Sequence, residues 1–304
     1  MIVSNRLGDD FILYSYLDNG KIFAKTTDEK FTLILTTLEK FKNGMIYKPI
    51  KGSNDNRIGL TYLNNKNELM TIVEYIDSSN IKVQFNDENK AIVHTTFTNF
   101  KNGEVNNPYR KSYYGVGYIG EGFKPSKSDK SMACWSNMLK RVYNENFIKL
   151  HPTYEHCSVC DEWLNFQNFH IWYVNNYYEF ENQTMCLDKD ILIKGNKLYS
   201  PETAIFVPQF INKLFTKRTS NRGNYPIGVH KVNNKFAAEC SVFDIDKNKS
   251  IILRLGRFDT PDEAFYKYKE FKEGYIKNVA EYYKDKLPKK LVEAMINYTV
   301  DIYD

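Results

Sequence analysis

A short acidic segment near the middle of the chain carries residue types that bind divalent metal ions. Asp188 and Asp190 flank Lys189 at the end of a predicted strand, and Asn196 and Glu202 follow in the next loop. Carboxylate and amide oxygens are ligands that Mg²⁺ or Mn²⁺ accepts, and such an ion can promote hydrolysis of a phosphodiester. Alternatively, the three adjacent charges pair with one another at a solvated strand end and are only structural.

Cys157 and Cys160 form a second candidate site, because two thiolates at this spacing can share a tetrahedral zinc ion. Other residues that could complete the ligand set are His151, His156, His170 and Cys186. A single Cys-x-x-Cys without a second pair is a weak zinc signal, and a strand with small side chains under the next, aromatic helix explains the same residues. We favour the strand over structural zinc.

A third group lies on three predicted strands near the C-terminus. Its polar and basic members could contact the phosphates or base edges of nucleic acid, and they are His230, Lys231, Lys235, Ser241, Arg254 and Arg257. The alternative is an ordinary solvated sheet face.

Local patterns predict the elements that position the metal candidates. Residues 187–191 are expected to form a short buried strand, followed by a turn at Gly195 and Asn196. Ser200 and Pro201 have the types of an N-cap and a first helical residue, so a helix is predicted to start there. Upstream, apolar spacing over 128–146 predicts an amphipathic helix with Lys140 and Arg141 on its polar side.

The C-terminal third has the pattern of a three-stranded antiparallel meander followed by a helix. The predicted strands cover residues 225–232, 235–242 and 251–258. Thr260 and Glu263 form a capping box ahead of a helix over 264–283, and another short helix is predicted after Pro288.

The segment Leu187-Asp188-Lys189-Asp190, with the later run G-N-x-x-Y-S-x-E-T, resembles the phage-encoded HNH homing endonucleases. This resemblance implies a ββα-metal unit in which Asp188 and Asp190 hold Mg²⁺ or Mn²⁺ and Asn196 and Glu202 assist. Lys189 stands where these enzymes have their general-base His; a lysine beside two aspartates does not act as a base at neutral pH, so Lys189 is expected to neutralise the phosphate instead. Thr203 replaces the usual helix Asn.

Residues 225 to about 272 resemble the ERF (APETALA-type) DNA-binding domain of plant transcription factors. The match rests on G-V-x-K-x-x-x-K-F-A-A-E and L-G-x-F-D-T-P-D-E-A. It implies that the sheet lies in the major groove of double-stranded DNA. The family's arginines after Gly-Val fall on His230 and Lys231, while Ser241 and Arg254 fall on two further reading positions. Ile252 stands where the family has an arginine.

The first hundred residues contain an internal repeat at an offset of 59 residues, so that Thr36 aligns with Thr95 and Gly44 with Gly103. The alternating apolar and polar residues in each copy predict a short-stranded antiparallel β-barrel or meander, SH3-like in topology, and the two copies are expected to bind DNA or a host protein. The glycines between Gly115 and Gly120 match G-x-G-x-x-G, but a polar segment with Pro125 follows them, so a hinge is predicted there rather than a phosphate site.

Composition points to an intracellular protein with a weak preference for anionic partners. The chain of 304 residues has 42 Lys and Arg against 37 Asp and Glu, a mixed surface with net charge +5. Five cysteines, an odd number, do not fit a secreted disulfide framework. No signal peptide or membrane-spanning run is evident, so a cytoplasmic location in an infected bacterial host is expected.

Together these patterns predict an α+β multidomain protein: two SH3-like β repeats, a ββα HNH-like unit, and a three-stranded antiparallel sheet packed on one helix. The predicted segments are β repeats at 1–50 and 51–112, a glycine hinge at 113–127, an HNH-like domain at 128–220, an ERF-like domain at 221–287 and a tail at 288–304. The expected function is DNA binding with metal-dependent cleavage or nicking. The alternative is a non-catalytic phage factor that binds DNA or a host protein, as a regulator or an inhibitor of host defence.

Overall fold

The computed structural model describes residues 1–5, 8–16, 21–27, 33–46, 57–180, 183–216, 225–244, 249–302 and 304. Two compact units are present, each described by itself: unit 1 comprises Met1–Ser112 and Tyr118–Phe123, and unit 2 comprises Tyr113–Gly117 and Lys124–Asp304. The domain boundaries predicted after residues 50 and 220 lie outside the described residues. The predicted α+β class is confirmed by several antiparallel sheets combined with helices.

Unit 1 contains one eight-stranded antiparallel sheet whose strand order follows the chain. Its strands are β1 (Ile2–Ser4), β2 (Asp10–Tyr16), β3 (Lys21–Thr26), β4 (Leu33–Thr37), β5 (Leu60–Leu63), β6 (Leu69–Asp77), β7 (Asn80–Phe85) and β8 (Ile92–Thr95). The first repeat joins the second through pairing of Ile34 with Leu60. The two repeats therefore share one meander sheet, whereas the sequence predicted a separate small β-barrel or meander for each copy.

The repeat is visible in the local structure of unit 1. Helices α1 (Leu38–Lys42) and α2 (Phe97–Lys101) occupy equivalent places, each with a threonine N-cap and a buried phenylalanine. Asn5 and Asn64 are also equivalent. The amide of Asn5 donates to the carbonyl of Ile46 and the amide of Asn64 donates to the carbonyl of Val105, and both carbonyls follow the helix of their repeat. Each repeat has its own apolar cluster, so each supplies half of the sheet and a separate core.

The first part of unit 2 packs helices around aromatic side chains. Its elements are α3 (Lys130–Tyr143), α4 (Glu145–Leu150), β9 (Ser158–Val159) and α5 (Phe166–Asn176). Trp135, Met138 and Leu139 are buried, as the helical spacing predicted. Gly117 lies against Trp135 and Leu139 so closely that an added Cβ would be 2.4 Å from Leu139. A close packing contact therefore lies within the predicted glycine hinge.

The segment that holds the metal-ligand candidates, residues 185–214, folds differently from the prediction. Strands β10 (Met185–Asp188) and β12 (Ile205–Pro208) pair in antiparallel fashion, and the helix α6 (Gln209–Leu214) begins only after Pro208. The short strand β11 (Leu198–Tyr199) pairs in parallel with β9.

The prediction that a helix starts at Ser200 is wrong. Ser200 to Thr203 form a single turn, which is closed by the N–H of Ala204 donating to the carbonyl of Ser200 at 2.9 Å. The next residues, Ile205 to Val207, are buried, and β-branched and aromatic residues of this kind favour a strand. The Ser-Pro signal therefore caps one turn and does not start a helix.

The C-terminal part of unit 2 confirms the predicted meander and helix. Strands β13 (Val229–Val232), β14 (Lys235–Asp244) and β15 (Lys249–Phe258) form an antiparallel sheet in that order. Helix α7 (Pro261–Tyr283) starts with the complete capping box of Thr260 and Glu263, and α8 (Lys289–Ile296) follows.

One face of this sheet packs on the N-terminal half of α7. The shared core includes Val229, Ala238, Cys240, Phe265 and Tyr268. The C-terminal half of α7 belongs to another core that it shares with α6 and α8. The long helix therefore ties the sheet to the segment that holds Asp188.

Candidate functional site

The acidic segment forms a tight turn at the end of β10. Oδ1 of Asp188 accepts hydrogen bonds from the backbone N–H groups of Asp190 and Ile191, both at 2.8 Å. This turn is built by the aspartate side chain itself, as short polar side chains often do. One carboxylate oxygen of Asp188 is therefore engaged by the backbone.

The surroundings of Asp188 favour its protonated form. Burial raises the pKa of Asp188 to about 6, and the negative charge of Asp190 acts in the same direction. The two backbone N–H donors stabilise the carboxylate and oppose this change, but desolvation is the larger effect. Asp188 thus changes charge just below neutral pH.

Lys189 is buried, with 7% of its surface exposed. Its Nζ lies 3.4 Å from Oδ2 of Asp190 and 5.8 Å from the centroid of the Tyr199 ring. An ammonium group over an aromatic face is stabilised by the ring's quadrupole. Lys189 is therefore held by its neighbours, and its ion pair with Asp190 agrees with the self-paired alternative, although the lysine is not solvated.

Asn196 and Glu202 have other partners. The Asn196 amide donates to the carbonyls of Lys189 and Leu198, at 2.7 and 2.6 Å, and so closes the loop. The exposed carboxylate of Glu202 accepts from the Ser200 hydroxyl at 2.7 Å, and this bond lowers the pKa of Glu202. Asn196 and Glu202 are therefore each engaged by other groups of the protein.

Asp188, Lys189 and Asp190 line a cleft of about 450 Å³ whose described lining includes neither Asn196 nor Glu202. Basic residues outnumber acids among that lining, because Lys189 is joined by Arg141, Lys194 and Lys197. The electrostatic character of this cleft suits an anion better than a cation.

Arg141 is a residue of this cleft that sequence patterns placed wrongly. Its place in the helix predicts the solvent side of α3, but its guanidinium lies 5.9 Å from the centroid of the Tyr154 ring and interacts electrostatically with Tyr199. Arg141 follows the buried Leu139 by two positions, so helical periodicity places it off the apolar stripe. Arg141 is partly buried only because Tyr154 and Tyr199 pack against α3.

Cys157 and Cys160 flank the two-residue strand β9. The Cys157 thiol has the carbonyl of Thr153 as its hydrogen-bond partner at 3.9 Å, and burial raises the pKa of Cys160. Over the described part of the chain, no group of three or more His, Cys, Asp or Glu side chains is placed to hold a metal ion. The strand interpretation of this segment accounts for the observed backbone.

The third candidate group lies on the C-terminal sheet. Residues that pair across antiparallel strands point to the same face, and pairing puts His230 beside Ala237, Arg254 beside Glu239 and Ser241 beside Ile252. Ala238 and Cys240 point the other way, into the core with α7. The face that turns away from α7 is called the outer face below, and its predicted members are His230, Lys235, Ser241, Arg254 and Arg257.

Lys231 is separated from this group by the strand pairing. It pairs with Phe236, which lies on the side of the sheet that faces α7. Lys231 remains exposed at the end of β13, but its side chain does not share the outer face. The resemblance aligned His230 and Lys231 with two neighbouring family positions, and only His230 keeps a place on this surface.

A β-bulge explains why Arg254 and Arg257 share a face although three positions separate them. The register shifts between Ala238 and Glu239. Ala238 pairs with Gly256 and Glu239 pairs with Arg254, so Leu255 is an extra residue on β15. Gly256 has a φ of 139°, a conformation that other residues rarely adopt. Bulges of this type redirect side chains, and here the bulge brings two guanidinium groups onto one surface.

The charge of the outer face is mainly positive but is partly offset by acids, since Nζ of Lys235 lies 3.1 Å from Oδ1 of Asp259. Glu239 lies between two bases, with its Oε1 3.5 Å from Nε of Arg254 and 3.9 Å from Nε2 of His230. The Arg254 side chain is 88% exposed, and Arg257 and Ile252 are exposed as well. Glu239 can orient Arg254 while leaving most of its donors available.

Comparisons with models of protein families, with curated proteins and with solved structures found no match. Among the described residues, no helix combines the length and the apolar character needed to cross a membrane.

Proposed function

We propose that this protein binds double-stranded DNA through the outer face of its C-terminal sheet. The observation that carries the proposal is the grouping of His230, Ser241, Arg254 and Arg257 on one face whose arginines point into solvent. Arginine is the side chain best suited to bind phosphate and the guanine edge with two hydrogen bonds. A β-sheet or ribbon can enter a DNA groove.

The rigidity of the support favours this function. Helix α7 packs on the opposite face and begins with a capping box, so the strands are held from behind while the outer face stays accessible. The bulge at Gly256 sets the spacing of the two arginines. A preorganised surface loses less conformational entropy when it binds.

The proposal does not include cleavage. Asn196 donates to the backbone of Lys189 and Leu198, Glu202 accepts from Ser200, and neither side chain lines the cleft of Asp188 and Asp190. The geometry therefore favours the non-catalytic alternative for the DNA-binding protein.

A binding titration tests the proposal. Fluorescence anisotropy of a labelled duplex is measured with wild type and with the double variant Arg254→Ala and Arg257→Ala. Each arginine contact contributes about 1–3 kcal/mol, so the double variant is expected to bind at least about tenfold more weakly. The matched control, Lys289→Ala with Lys290→Ala on the exposed start of α8, removes the same charge elsewhere. Equal loss in both double variants would contradict a site on the sheet.

A further inference from the structure

Helix α7 carries a lysine whose charge has no partner in the described structure. Lys272 is 7% exposed, and no hydrogen bond or ion pair of its ammonium group is found among the described residues. The titratable group that most affects it is the Cys240 thiol on β14, and burial lowers the pKa of Lys272. A lysine that is largely removed from water and lacks an ion-pair partner is costly, so a stable protein retains it more readily where a ligand supplies the missing charge.

Lys272 faces a groove of about 490 Å³, a size typical of ligand sites. The groove lies between α6, α7 and the edge of the C-terminal sheet. Hydrogen-bond donors come from all of these elements, and they are Lys213, Thr216, His230, Ser241, Ser250 and Lys272.

Charges in this groove favour an anion. Two lysines and a histidine line it, and the acid among its described lining residues is Glu239. Oε1 of Glu239 already lies 3.5 Å from Nε of Arg254. Lysine binds phosphate as a point charge, and hydroxyl groups complete the hydrogen bonds to the remaining oxygens.

We propose that this groove binds a phosphate group, with the Lys272 ammonium as the buried cation and Lys213 as a second cation from α6. The phosphate can belong to a free nucleotide or to the DNA backbone, because the groove shares His230, Ser241 and Ile252 with the outer face. Binding of a free nucleotide does not depend on the proposed DNA binding, so the two proposals can fail separately.

The full-length wild-type chain tests the site by amine labelling. Acetic anhydride is added at pH 7.5 with no ligand, with inorganic phosphate, with deoxyadenosine monophosphate or with duplex DNA, and labelling of each lysine is read by mass spectrometry. Lys272 is expected to react in the free protein and to be protected at least fivefold by one of these probes. Protection by phosphate or the nucleotide identifies a free-ligand site, whereas protection by DNA alone assigns the groove to the DNA backbone.

Calorimetry with variants gives the second readout. Lys272→Met is expected to weaken binding of the protecting probe at least tenfold, while Lys267→Met, an exposed position on the same helix, leaves it unchanged. If Lys272→Met does not fold, the labelling of wild type still decides the question. Unchanged labelling of Lys272 with phosphate, nucleotide and DNA would overturn the proposal.

Discussion

Asp188 shows how a residue of metal-binding type can be used by the fold. Its carboxylate closes the turn after β10, and Lys189 packs on Tyr199 beside it. The sequence supported both the metal interpretation and the self-paired one, because residue types do not fix which atoms a carboxylate faces. Asn196 illustrates the same limit, since its amide closes the loop by donating to two carbonyls.

The raised pKa of Asp188 makes a prediction about stability. Its pKa is about 6 in the folded protein against 3.8 for an unperturbed aspartate, so the folded state binds more protons between these two pH values. Wild-type stability therefore falls as pH rises from about 4 to 6 and stays low above that range. Asp188→Asn keeps an oxygen for the two N–H donors and removes the charge.

Asp188→Asn is therefore expected to be more stable than wild type by up to about 3 kcal/mol at pH 7.5, and by about 1 kcal/mol at pH 4.5. Urea unfolding followed by tryptophan fluorescence measures this difference in unit 2, which contains all three tryptophans. Glu202→Gln, at an exposed carboxylate whose pKa is lowered, serves as the control and should show no gain at pH 7.5. A difference between Asp188→Asn and wild type that does not vary with pH would contradict the burial of this charge.

At the scale of elements, the C-terminal sheet and helix could be predicted well and the middle segment could not. Strand alternation, the turns and the cap at Thr260 all agree with one another in the C-terminal part, and local agreement of this kind specifies a structure strongly. In the middle, the cap signal at Ser200 conflicts with the strand preference of Ile205 to Val207, and pairing with β10 decides the outcome. The bulge at Gly256 has no periodic signal, because it is itself a break in alternation.

Two glycines test how closely the sheet and α7 are packed. Gly228 has a φ of 78°, and a Cβ there would lie 2.1 Å from the Tyr268 ring. Gly228→Ala is therefore expected to destabilise unit 2 by about 2–4 kcal/mol, from steric overlap and backbone strain. Gly274 on α7 has open space around it, so Gly274→Ala should stabilise by about 0.5–1 kcal/mol.

Urea unfolding of both glycine variants, monitored by circular dichroism, gives the comparison. If the two substitutions change the free energy of unfolding by similar amounts, then Tyr268 does not pack on Gly228 as described, and the support behind the outer face is weaker than the structure indicates.

At the scale of the whole molecule, the internal repeat could be recognised in the sequence, but its assembly could not. Equivalent caps and buried phenylalanines recur in both repeats, whereas the pairing of β4 with β5 that joins them into one sheet is a contact between copies. The sequence pattern of one repeat gives no information about which strand of the other repeat it pairs with. The predicted host-protein partner of these repeats stays a prediction.

The geometry of the acidic segment leads to a prediction about activity. Supercoiled plasmid incubated with purified protein and Mg²⁺ or Mn²⁺ is expected to stay supercoiled, because Asp188, Asn196 and Glu202 are engaged by groups of the protein. Gel electrophoresis beside an EDTA control and Asp188→Ala measures this. Metal-dependent nicking by wild type that Asp188→Ala abolishes would restore the nuclease hypothesis for this segment.

The salt dependence of DNA binding tests the central claim most directly. The logarithm of the association constant is plotted against the logarithm of the salt concentration for wild type, the double variant of Arg254 and Arg257, and the double variant of Lys289 and Lys290. Each phosphate contact contributes about 0.9 to the slope, so loss of Arg254 and Arg257 should reduce its magnitude by about 2, while the lysine control leaves it near the wild-type value. An unchanged slope in the arginine variant, or no measurable binding by wild type, would contradict DNA binding through the outer face.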